Sequence, residues 1–280
     1  MADNSAATDT VQTVAPRLTP SSVNDLLCPA KYRLLRIDRV WKKRDPLLPV
    51  AHGKSVHQVL NLVYSARAHG EVDLSNLEAQ ARGAVMNNWY PRGADVEEQV
   101  NRVMAAVRGF VAADDEEDIE GILPGGLEKG GEFPLCLEDG RVLCVLSAVL
   151  DCILVRESQP DTLVIRERKT TAQRIDLKEC YIQMRIGKKM YPQYPHIVIE
   201  FDWLDEDNRV IRDTVTARMV RGQHQIVLGM AYKVLTATEF PAVPGETQCR
   251  YCSEREHCQQ LPPDQVSEAA LRRIAERLPS

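Results

Sequence analysis

The chain has 280 residues, of which 44% are hydrophobic and 27% are charged, as is typical of a soluble globular protein. This length suits one elaborated domain, and the absence of any run of eighteen apolar residues excludes an ordinary membrane-spanning helix. The formal net charge of −5 neither indicates nor excludes nucleic-acid binding, because it averages over any local basic patches.

The N-terminal segment, MADNSAATDTVQTVAPR, lacks the basic and apolar regions of a secretory signal peptide, so a cytoplasmic protein is expected. In a reducing compartment its eight cysteines are expected to be thiols or metal ligands and not disulfides. Residues 1–17 are small, polar and aperiodic, which predicts a disordered lead, with order beginning at Leu18.

The first predicted helix lies in LTPSSVNDLLCP. Thr19 and the proline after it suit the N-cap and the first helical position, and Pro29 ends or kinks the helix directly after Cys28. A basic stretch and a loop then lead to a second helix that starts near Gly53. Apolar residues recur at three- and four-residue spacing over residues 54–113, which predicts a helical region.

Beyond an acidic break the pattern changes, and residues 130–238 are predicted to form an α/β core. Two strand-like runs meet at the turn EDG, and a third run, TLVIRERK, follows the turn SQPD, so a three-stranded meander is predicted. A helix with Asp176 as its N-cap, a β-hairpin and a final helix over residues 222–238 complete the core. A helical tail is predicted over residues 263–280.

Charged side chains close two of the predicted strands. Asp151 interrupts the apolar run LCVLSAVLDCILV, where burial disfavours an unpaired carboxylate. Glu167 and Lys169 are two residues apart on the next strand, so they point the same way. Carboxylates that hold Mg²⁺ or Mn²⁺, beside a lysine that positions water or stabilises the transition state, suit phosphodiester hydrolysis. The alternative is an exposed hairpin end with solvated charges.

His57 lies in the helical pattern GKSVHQVL, beside apolar residues. One interpretation is a partly buried histidine that is satisfied by a hydrogen bond. The other is a neutral imidazole that completes a carboxylate-rich metal site and favours Mn²⁺ over Mg²⁺. The residues alone leave both interpretations open.

Three cysteines near the C-terminus, Cys249, Cys252 and Cys258, follow a C-x2-C-x5-C spacing. A four-ligand site needs one more donor, and four thiolates hold either tetrahedral Zn²⁺ or a [4Fe–4S] cluster. Unligated thiols are the alternative, although a segment with so few apolar residues needs something to order it. Four more cysteines lie in apolar surroundings and are predicted to be core residues: Cys136, Cys144, Cys152 and Cys180.

Taken in order, these features resemble a known family. The segments LTPSSVNDLLCP and GKSVHQVL, the strand ending in Asp151, the triplet Glu167-Arg168-Lys169 and the terminal cysteines are similar to the PD-(D/E)XK nucleases of the RecB type. In particular they resemble the iron–sulfur branch, which contains the CRISPR-associated Cas-four exonucleases and the AddB nuclease domain. The resemblance runs from about residue 18 to residue 260.

The resemblance implies a single nuclease domain over residues 18–262, of the α/β, restriction-endonuclease-like class, in which helices flank a mixed central sheet. A helical region precedes the core, and a cluster-binding region made of Cys28 and residues 249–258 completes it. The implied activity is that of a metal-dependent DNA exonuclease that prefers single-stranded ends.

Position by position, the resemblance implies that His57, Asp151 and Glu167 bind Mn²⁺ or Mg²⁺. Lys169 is the implied catalytic lysine, and the backbone carbonyl of Arg168 is an implied additional metal ligand.

The cysteine donor that completes the terminal motif corresponds, by the same resemblance, to Cys28, about 220 residues before Cys249. Structural zinc commonly uses two short C-x2-C pairs, whereas the split of one cysteine and three resembles the [4Fe–4S] site of the family, so the resemblance implies an iron–sulfur cluster. The cluster is interpreted as structural, because it would close a loop around nearly the whole domain.

The family also carries a Q-x3-Y motif on the helix after the catalytic lysine. Gln183 matches the glutamine, Gly187 stands at the tyrosine position, and Tyr191 lies one turn further, roughly on the same face as Gln183. Both are expected to contact DNA or support the site. Glu132 resembles a family glutamate before the first strand and is a candidate supporting residue.

Basic residues surround Trp41 in RIDRVWKKRD, and Lys188 and Lys189 lie on the helix after the active-site strand. Cations that track phosphates, with an aromatic ring for stacking, suit a single-strand channel, but they equally suit an ordinary solvated face. The sequence contains no base-reading module, so little sequence specificity is expected.

DNA, as single-stranded ends, is the expected partner, and a homo-oligomer or recombination or CRISPR partner proteins are compatible with the sequence. The expected role is in DNA recombination or repair, phage DNA metabolism or CRISPR adaptation. One alternative is a non-catalytic DNA-binding or scaffold subunit of a nuclease complex. The joint presence of His57, Asp151, Glu167 and Lys169 argues against it. The other alternative is a zinc-stabilised nuclease of the same fold.

Overall fold

The computed structural model describes residues 15–38, 48–68, 76–88, 90–91, 93–115, 121–170, 175–205 and 207–243. Several sequence predictions lie outside these ranges, namely most of the N-terminal lead, the tail over 263–280, Trp41, Cys249, Cys252 and Cys258. Within the described ranges, no helix combines the length and apolar character needed to cross a membrane.

A six-stranded mixed sheet forms the centre of the fold. Its strands are β1 (Arg17–Leu18), β2 (Gly121–Cys136), β3 (Val142–Arg156), β4 (Gln159–Lys169), β5 (His196–Leu204) and β6 (Val210–Thr216). Hydrogen-bonded neighbours follow the order β1-β3-β4-β5-β6. β1 and β4 pair with different parts of one edge of β3, and β2 pairs with the opposite edge. The pairs β1–β3 and β4–β5 are parallel and the others are antiparallel, which confirms the mixed sheet and the β2-β3-β4 meander.

Helices cover both faces of the sheet. They are α1 (Pro20–Asp25), α2 (Pro29–Tyr32), α3 (Leu48–Ala68), α4 (Leu77–Asn87), α5 (Val96–Asp115), α6 (Leu177–Met190) and α7 (Gln223–Leu235), and a π-helical turn, Arg33–Ile37, continues α2. The main hydrophobic core lies between one sheet face and α1, α6 and α7. Helices α3, α4 and α5 pack together into a second core, which Leu127 and Leu204 of the sheet join.

Two helix starts follow from the caps that the sequence predicts. Thr19 Oγ1 accepts a hydrogen bond from the N–H of Ser22, and the Ser22 hydroxyl accepts one from the N–H of Thr19, which together form a capping box before α1. Asp176 accepts a hydrogen bond from the N–H of Lys178 at the start of α6 (2.9 Å). Both predicted N-caps are therefore confirmed.

Four predicted boundaries are wrong. β3 does not end at Asp151 but continues through it to Arg156, because the residues after Asp151 are apolar and pair with β2 and β4. Helix α3, the second helix that the sequence predicts, begins at Leu48 and not near Gly53, because the proline after Leu48 is tolerated in a first helical turn. Arg17 already pairs with β3, so the ordered chain begins before Leu18. β2 begins at Gly121, well before residue 130, although its glycines and proline are typical of a loop.

β3 and β4 separate at the point where charged residues meet. Cys152 pairs with Arg166, and the pairing between the two strands stops there. Asp151 and Glu167 are the next residues on their strands, so they lie next to each other where the strands part. β4 continues alongside β5 as far as Lys169.

Candidate active site

The main chain of Arg168 links two of the predicted metal ligands. Its N–H donates to Oδ2 of Asp151 (3.3 Å), and its carbonyl oxygen lies 2.9 Å from Nε2 of His57. Because His57 belongs to α3, this contact joins α3 to the end of β4. The carbonyl of Arg168, predicted to be an additional metal ligand, is here the hydrogen-bond partner of the imidazole.

The other ring nitrogen of His57 faces two carboxylates. Nδ1 lies 3.5 Å from Oδ2 of Asp151 and 3.6 Å from Oε1 of Glu128. Burial acts to lower the pKa of His57, but the neighbouring carboxylates of Glu128 and Asp151 and the backbone carbonyl of Arg168 raise it to about 9. The histidine is thus part of a charged cluster and is not an isolated core residue.

Glu128 is a site residue that the sequence did not reveal. It lies in β2 next to an irregularity in the pairing with β3, and its φ of 45° is in the left-handed region. A non-glycine residue in this conformation is uncommon and such residues concentrate at functional sites. The neighbouring imidazole of His57 lowers the pKa of the Glu128 carboxyl, against the effect of burial, and a hydrogen bond with Asn61 acts in the same direction. The surrounding LPGGLEKGG reads as a loop, which conceals this position.

His57, Glu128 and Asp151 form a donor set in which one ligand atom of each lies within 4.8 Å of the others. Two carboxylates and one imidazole suit a hard divalent cation, and the imidazole favours Mn²⁺. The bond from Nε2 to a backbone carbonyl fixes the ring, as in most metal-binding histidines. These residues therefore fit a divalent metal.

Glu167, a predicted ligand, is buried and has both carboxylate oxygens occupied. Oε2 lies 3.1 Å from Nζ of Lys169, and Oε1 accepts a 2.6 Å hydrogen bond from Nε2 of Gln183. Burial, with the nearby charge of Asp151, raises the pKa of Glu167 to about 8. Glu167 and Lys169 share one face of β4, as their spacing predicts.

The rest of the Q-x3-Y region differs from the expected pattern for a packing reason. A Cβ at Gly187 would lie 2.9 Å from Cδ1 of Ile165, so α6 sits too close to β4 for a tyrosine there. Tyr191 follows the last turn of α6 and packs against the main core, whereas Gln183 reaches Glu167.

Three weaker candidates, Glu132, Lys188 and Lys189, lie on the surface near the C-terminal end of α6. Glu132 is exposed and forms an ion pair with Arg17, so the structure does not bring it to the donor set. Nζ of Lys188 donates to the carbonyl of Tyr194 (2.6 Å), and Nζ of Lys189 donates to the carbonyl of Glu132 (3.0 Å). Both lysines are held by main-chain groups in this arrangement.

A cavity of about 650 Å³ opens in front of the donor set. One wall is a stripe along α3, at the spacing of a single helix face: Gly53, Lys54, His57, Gln58 and Asn61. The facing wall comes from the sheet: Glu128, Asp151, Arg168, Lys169 and Thr170. The cavity therefore exposes both the donor set and the lysine.

Cys28 stands at the start of α2 and is partly exposed. The chain that follows α7 returns to this place, since the N–H of Ala30 donates to the carbonyl of Pro241 (3.3 Å). Pro241 precedes Cys249 by eight residues. The chain at Pro241 therefore lies beside the helix that begins directly after Cys28.

The cysteines predicted for the core fall into two groups. Cys144, Cys152 and Cys180 are fully buried, as predicted, whereas Cys136 at the end of β2 is partly exposed. Burial raises the pKa of Cys144 and of Cys180 to about 12. Their thiols therefore stay protonated and do not compete as metal ligands.

The sequence and the fold were compared with known proteins. No curated protein matches the sequence. Among solved structures, a candidate exonuclease from Eubacterium rectale is similar, with a TM-score of 0.51 at 10% identity over 91% of this chain and 92% of that chain. This likeness shows a shared fold. The sequence model of the PD-(D/E)XK nuclease superfamily matches residues 17–259. Because that match spans all six strands, including those that carry Asp151, Glu167 and Lys169, this chain belongs to the PD-(D/E)XK nuclease superfamily.

Proposed function

We propose that this protein is an Mn²⁺- or Mg²⁺-dependent DNA exonuclease that acts on single-stranded ends. One observation carries the proposal: His57, Glu128 and Asp151 converge in a cavity that also exposes Lys169. A donor set for a hard cation beside an ammonium group is the combination that phosphodiester hydrolysis requires.

Each polar group then has a role. A divalent metal held by the donor set supplies an activated water and neutralises phosphate charge. Lys169 positions the attacking water or stabilises the charge that develops on the phosphate. Glu167, 3.1 Å from Nζ of Lys169, orients that ammonium group, and this role has better support than direct ligation. The main chain of Arg168 fixes His57 and Asp151 relative to each other.

The size of the cavity supports single-stranded DNA as the substrate. A volume of about 650 Å³ is that of a small-molecule site, which spans ~300–1,000 Å³. Such a cavity admits the end of one strand. Lys54 offers a cation for a phosphate, and Gln58 and Asn61 offer amides for the sugar or base. The description of the similar Eubacterium rectale protein as a candidate exonuclease agrees with digestion from an end.

The second part of the proposal is a structural [4Fe–4S] cluster bound by Cys28 and the terminal cysteines Cys249, Cys252 and Cys258. The docking of Pro241 on Ala30 supports it, because eight residues extend at most ~29 Å and Pro241 lies beside the helix that begins directly after Cys28. Brown protein with visible charge-transfer absorption after anaerobic purification supports the cluster. Colourless protein that contains zinc supports a zinc-stabilised nuclease instead.

The nuclease proposal is tested on single- and double-stranded DNA labelled at either end, with Mn²⁺ or Mg²⁺. Wild-type protein should release nucleotides from single strands only when metal is present. Lys169→Ala and Asp151→Ala should remain folded and inactive, whereas Lys233→Ala, on the exposed side of α7, should keep the wild-type rate. Undiminished cleavage by either active-site variant contradicts the proposal. Binding of DNA by wild-type protein without cleavage in either metal indicates a non-catalytic scaffold subunit.

A further inference from the structure

We infer that Tyr64 and Asp114 are positioning residues that act on the metal site through the side chain of Arg168. The inference rests on the proposed function, because the groups that they position are the proposed ligands His57 and Asp151. It concerns a buried cluster on the face of β4 opposite to Glu167 and Lys169, in which Tyr64 and Asp114 do not line the cavity.

Arg168 connects the two places because its main chain and its side chain have different partners. The main chain bonds to His57 and to Asp151 in the site. The side chain is buried, with its guanidinium 4.4 Å from the centre of the Tyr64 ring. Nη2 donates to Oδ2 of Asp114 (2.9 Å). Fixing this side chain therefore fixes the peptide group that holds both ligands.

Tyr64 joins the same cluster from α3. It follows His57 by seven residues, which is two helical turns, so the two side chains lie on one face of the helix. Its hydroxyl donates to Oδ2 of Asp114. α3 therefore contacts Arg168 twice, through His57 on the main chain and through Tyr64 on the side chain. Two contacts along one helix set its rotation as well as its distance from β4.

Asp114 completes the cluster from α5. Besides Tyr64 and Arg168, its carboxylate accepts a 2.5 Å hydrogen bond from Nη1 of Arg166, whose side chain is fully buried. One buried carboxylate thus receives donors from α3 and from two residues of β4. The arrangement ties two helices and the active-site strand together directly behind the donor set.

The same sheet face carries a second ion pair that serves as a control. Arg212 of β6 donates to both oxygens of Asp202 of β5 (2.6 and 2.9 Å). This pair is also largely buried and borders the first cluster, since Oδ2 of Asp202 lies 3.5 Å from Nε of Arg166. Arg212 itself is on β6, with β5 between it and the strand that carries Arg168. If both clusters only stabilise the fold, weakening either one should change Mn²⁺ affinity equally. If the Arg168 cluster positions the ligands, only weakening that cluster should change Mn²⁺ affinity.

The test compares Mn²⁺ affinity, measured from the paramagnetic resonance of free Mn²⁺, in wild type and three variants. Arg168→Lys keeps the charge and the peptide group but loses the planar group that stacks and donates. Tyr64→Phe keeps the ring and removes one hydrogen bond. Arg168→Lys should raise the Mn²⁺ Kd by ~10–100-fold, Tyr64→Phe should raise it less, and Arg212→Lys should leave it unchanged.

A second readout needs no metal. The Nε2–H of His57 faces the Arg168 carbonyl, so its imidazole signal in ¹⁵N-histidine spectra should be protected from exchange in wild type and Arg212→Lys. That protection should be lost in Arg168→Lys and reduced in Tyr64→Phe. If Arg168→Lys does not fold, the comparison of Tyr64→Phe with wild type still tests the inference.

The outcomes separate this inference from the proposed function. Wild-type protein that binds no Mn²⁺, or binds it equally well after Asp151→Asn, contradicts the proposed function. Normal Mn²⁺ affinity in Tyr64→Phe and Arg168→Lys, with an unchanged His57 signal, overturns the inference and leaves the proposed function intact. Equal loss of affinity in Arg212→Lys also overturns it.

Discussion

Metal binding at this site should strengthen about tenfold for each pH unit between about pH 6.5 and pH 8.5. The acidic neighbours of His57 raise its pKa to about 9, so the imidazole is protonated at neutral pH, and a metal ligand must lose that proton. A pH of 7 is two units below this pKa, so removing the proton from His57 costs about 2.7 kcal/mol, at ~1.36 kcal/mol per unit. Affinity at pH 7 should therefore be about 100-fold below its limit above pH 9.

The assay is a titration of Mn²⁺ into the protein at several pH values, with free Mn²⁺ followed by paramagnetic resonance. His57→Gln, which carries no titrating ring, should bind more weakly, with a slope of log affinity against pH that is smaller by about one. His196→Gln, which removes an exposed histidine of β5, should keep the wild-type slope. An affinity that is equal at pH 6.5 and pH 8.5, or an unchanged slope in His57→Gln, refutes the reasoning.

Three further predictions concern packing, the cysteines and stability. In urea unfolding, Gly187→Ala should be less stable than Gly229→Ala by on the order of 1–3 kcal/mol, because a Cβ at residue 187 would lie 2.9 Å from the end of the Ile165 side chain. Gly229→Ala, with open space in α7, should itself stabilise the protein by ~1 kcal/mol. Cys28→Ser should lose the brown colour and lower the melting temperature, while Cys180→Ser, in the core, should keep the colour. In chelator, stability should fall by a few kcal/mol as pH rises from about 4.5 through about 8, because the raised pKa of Glu167 favours its protonated form in the folded protein. Glu167→Gln should remove the fall between about pH 4.5 and pH 6.5 in thermal unfolding, while the fall at higher pH that comes from the raised pKa of His57 should remain.

The parts of the fold that could be predicted depend on local signals. Thr19 and Asp176 begin helices because a short polar side chain there accepts a nearby backbone N–H, an interaction that needs no distant partner. The meander follows from alternating apolar runs and short turns. The shared face of Glu167 and Lys169 follows from the two-residue period of a strand.

The parts that could not be predicted depend on contacts between distant segments. Glu128 joins the donor set only because β2 is irregular and adopts a left-handed residue there, in a stretch whose glycines read as a loop. Glu132, four residues later, had the better sequence signal but lies on the surface with Arg17.

The burial of two arginines was also not predictable from the sequence. Arg166 and Arg168 lie in the charged string RERK, which reads as an exposed strand end, yet both side chains are buried. Their partner Asp114 is more than fifty residues earlier, at the end of a helix whose last residues are acidic. Nothing in the spacing of these residues indicates that they meet, because their pairing depends on how α5 packs against the sheet.

The central claim is that His57, Glu128 and Asp151 form the metal centre of a nuclease. The most direct test compares Glu128→Gln with Glu132→Gln, two identical changes four residues apart in β2, for Mn²⁺-dependent release of nucleotides from end-labelled single-stranded DNA. Loss of a residue that supports a metal ligand lowers activity ~10–100-fold, and loss of a ligand should lower it at least as much. Glu128→Gln should therefore release nucleotides at least ~10–100-fold more slowly than wild type, whereas Glu132→Gln should keep the wild-type rate. Full activity in Glu128→Gln, or a loss confined to Glu132→Gln, would contradict the claim.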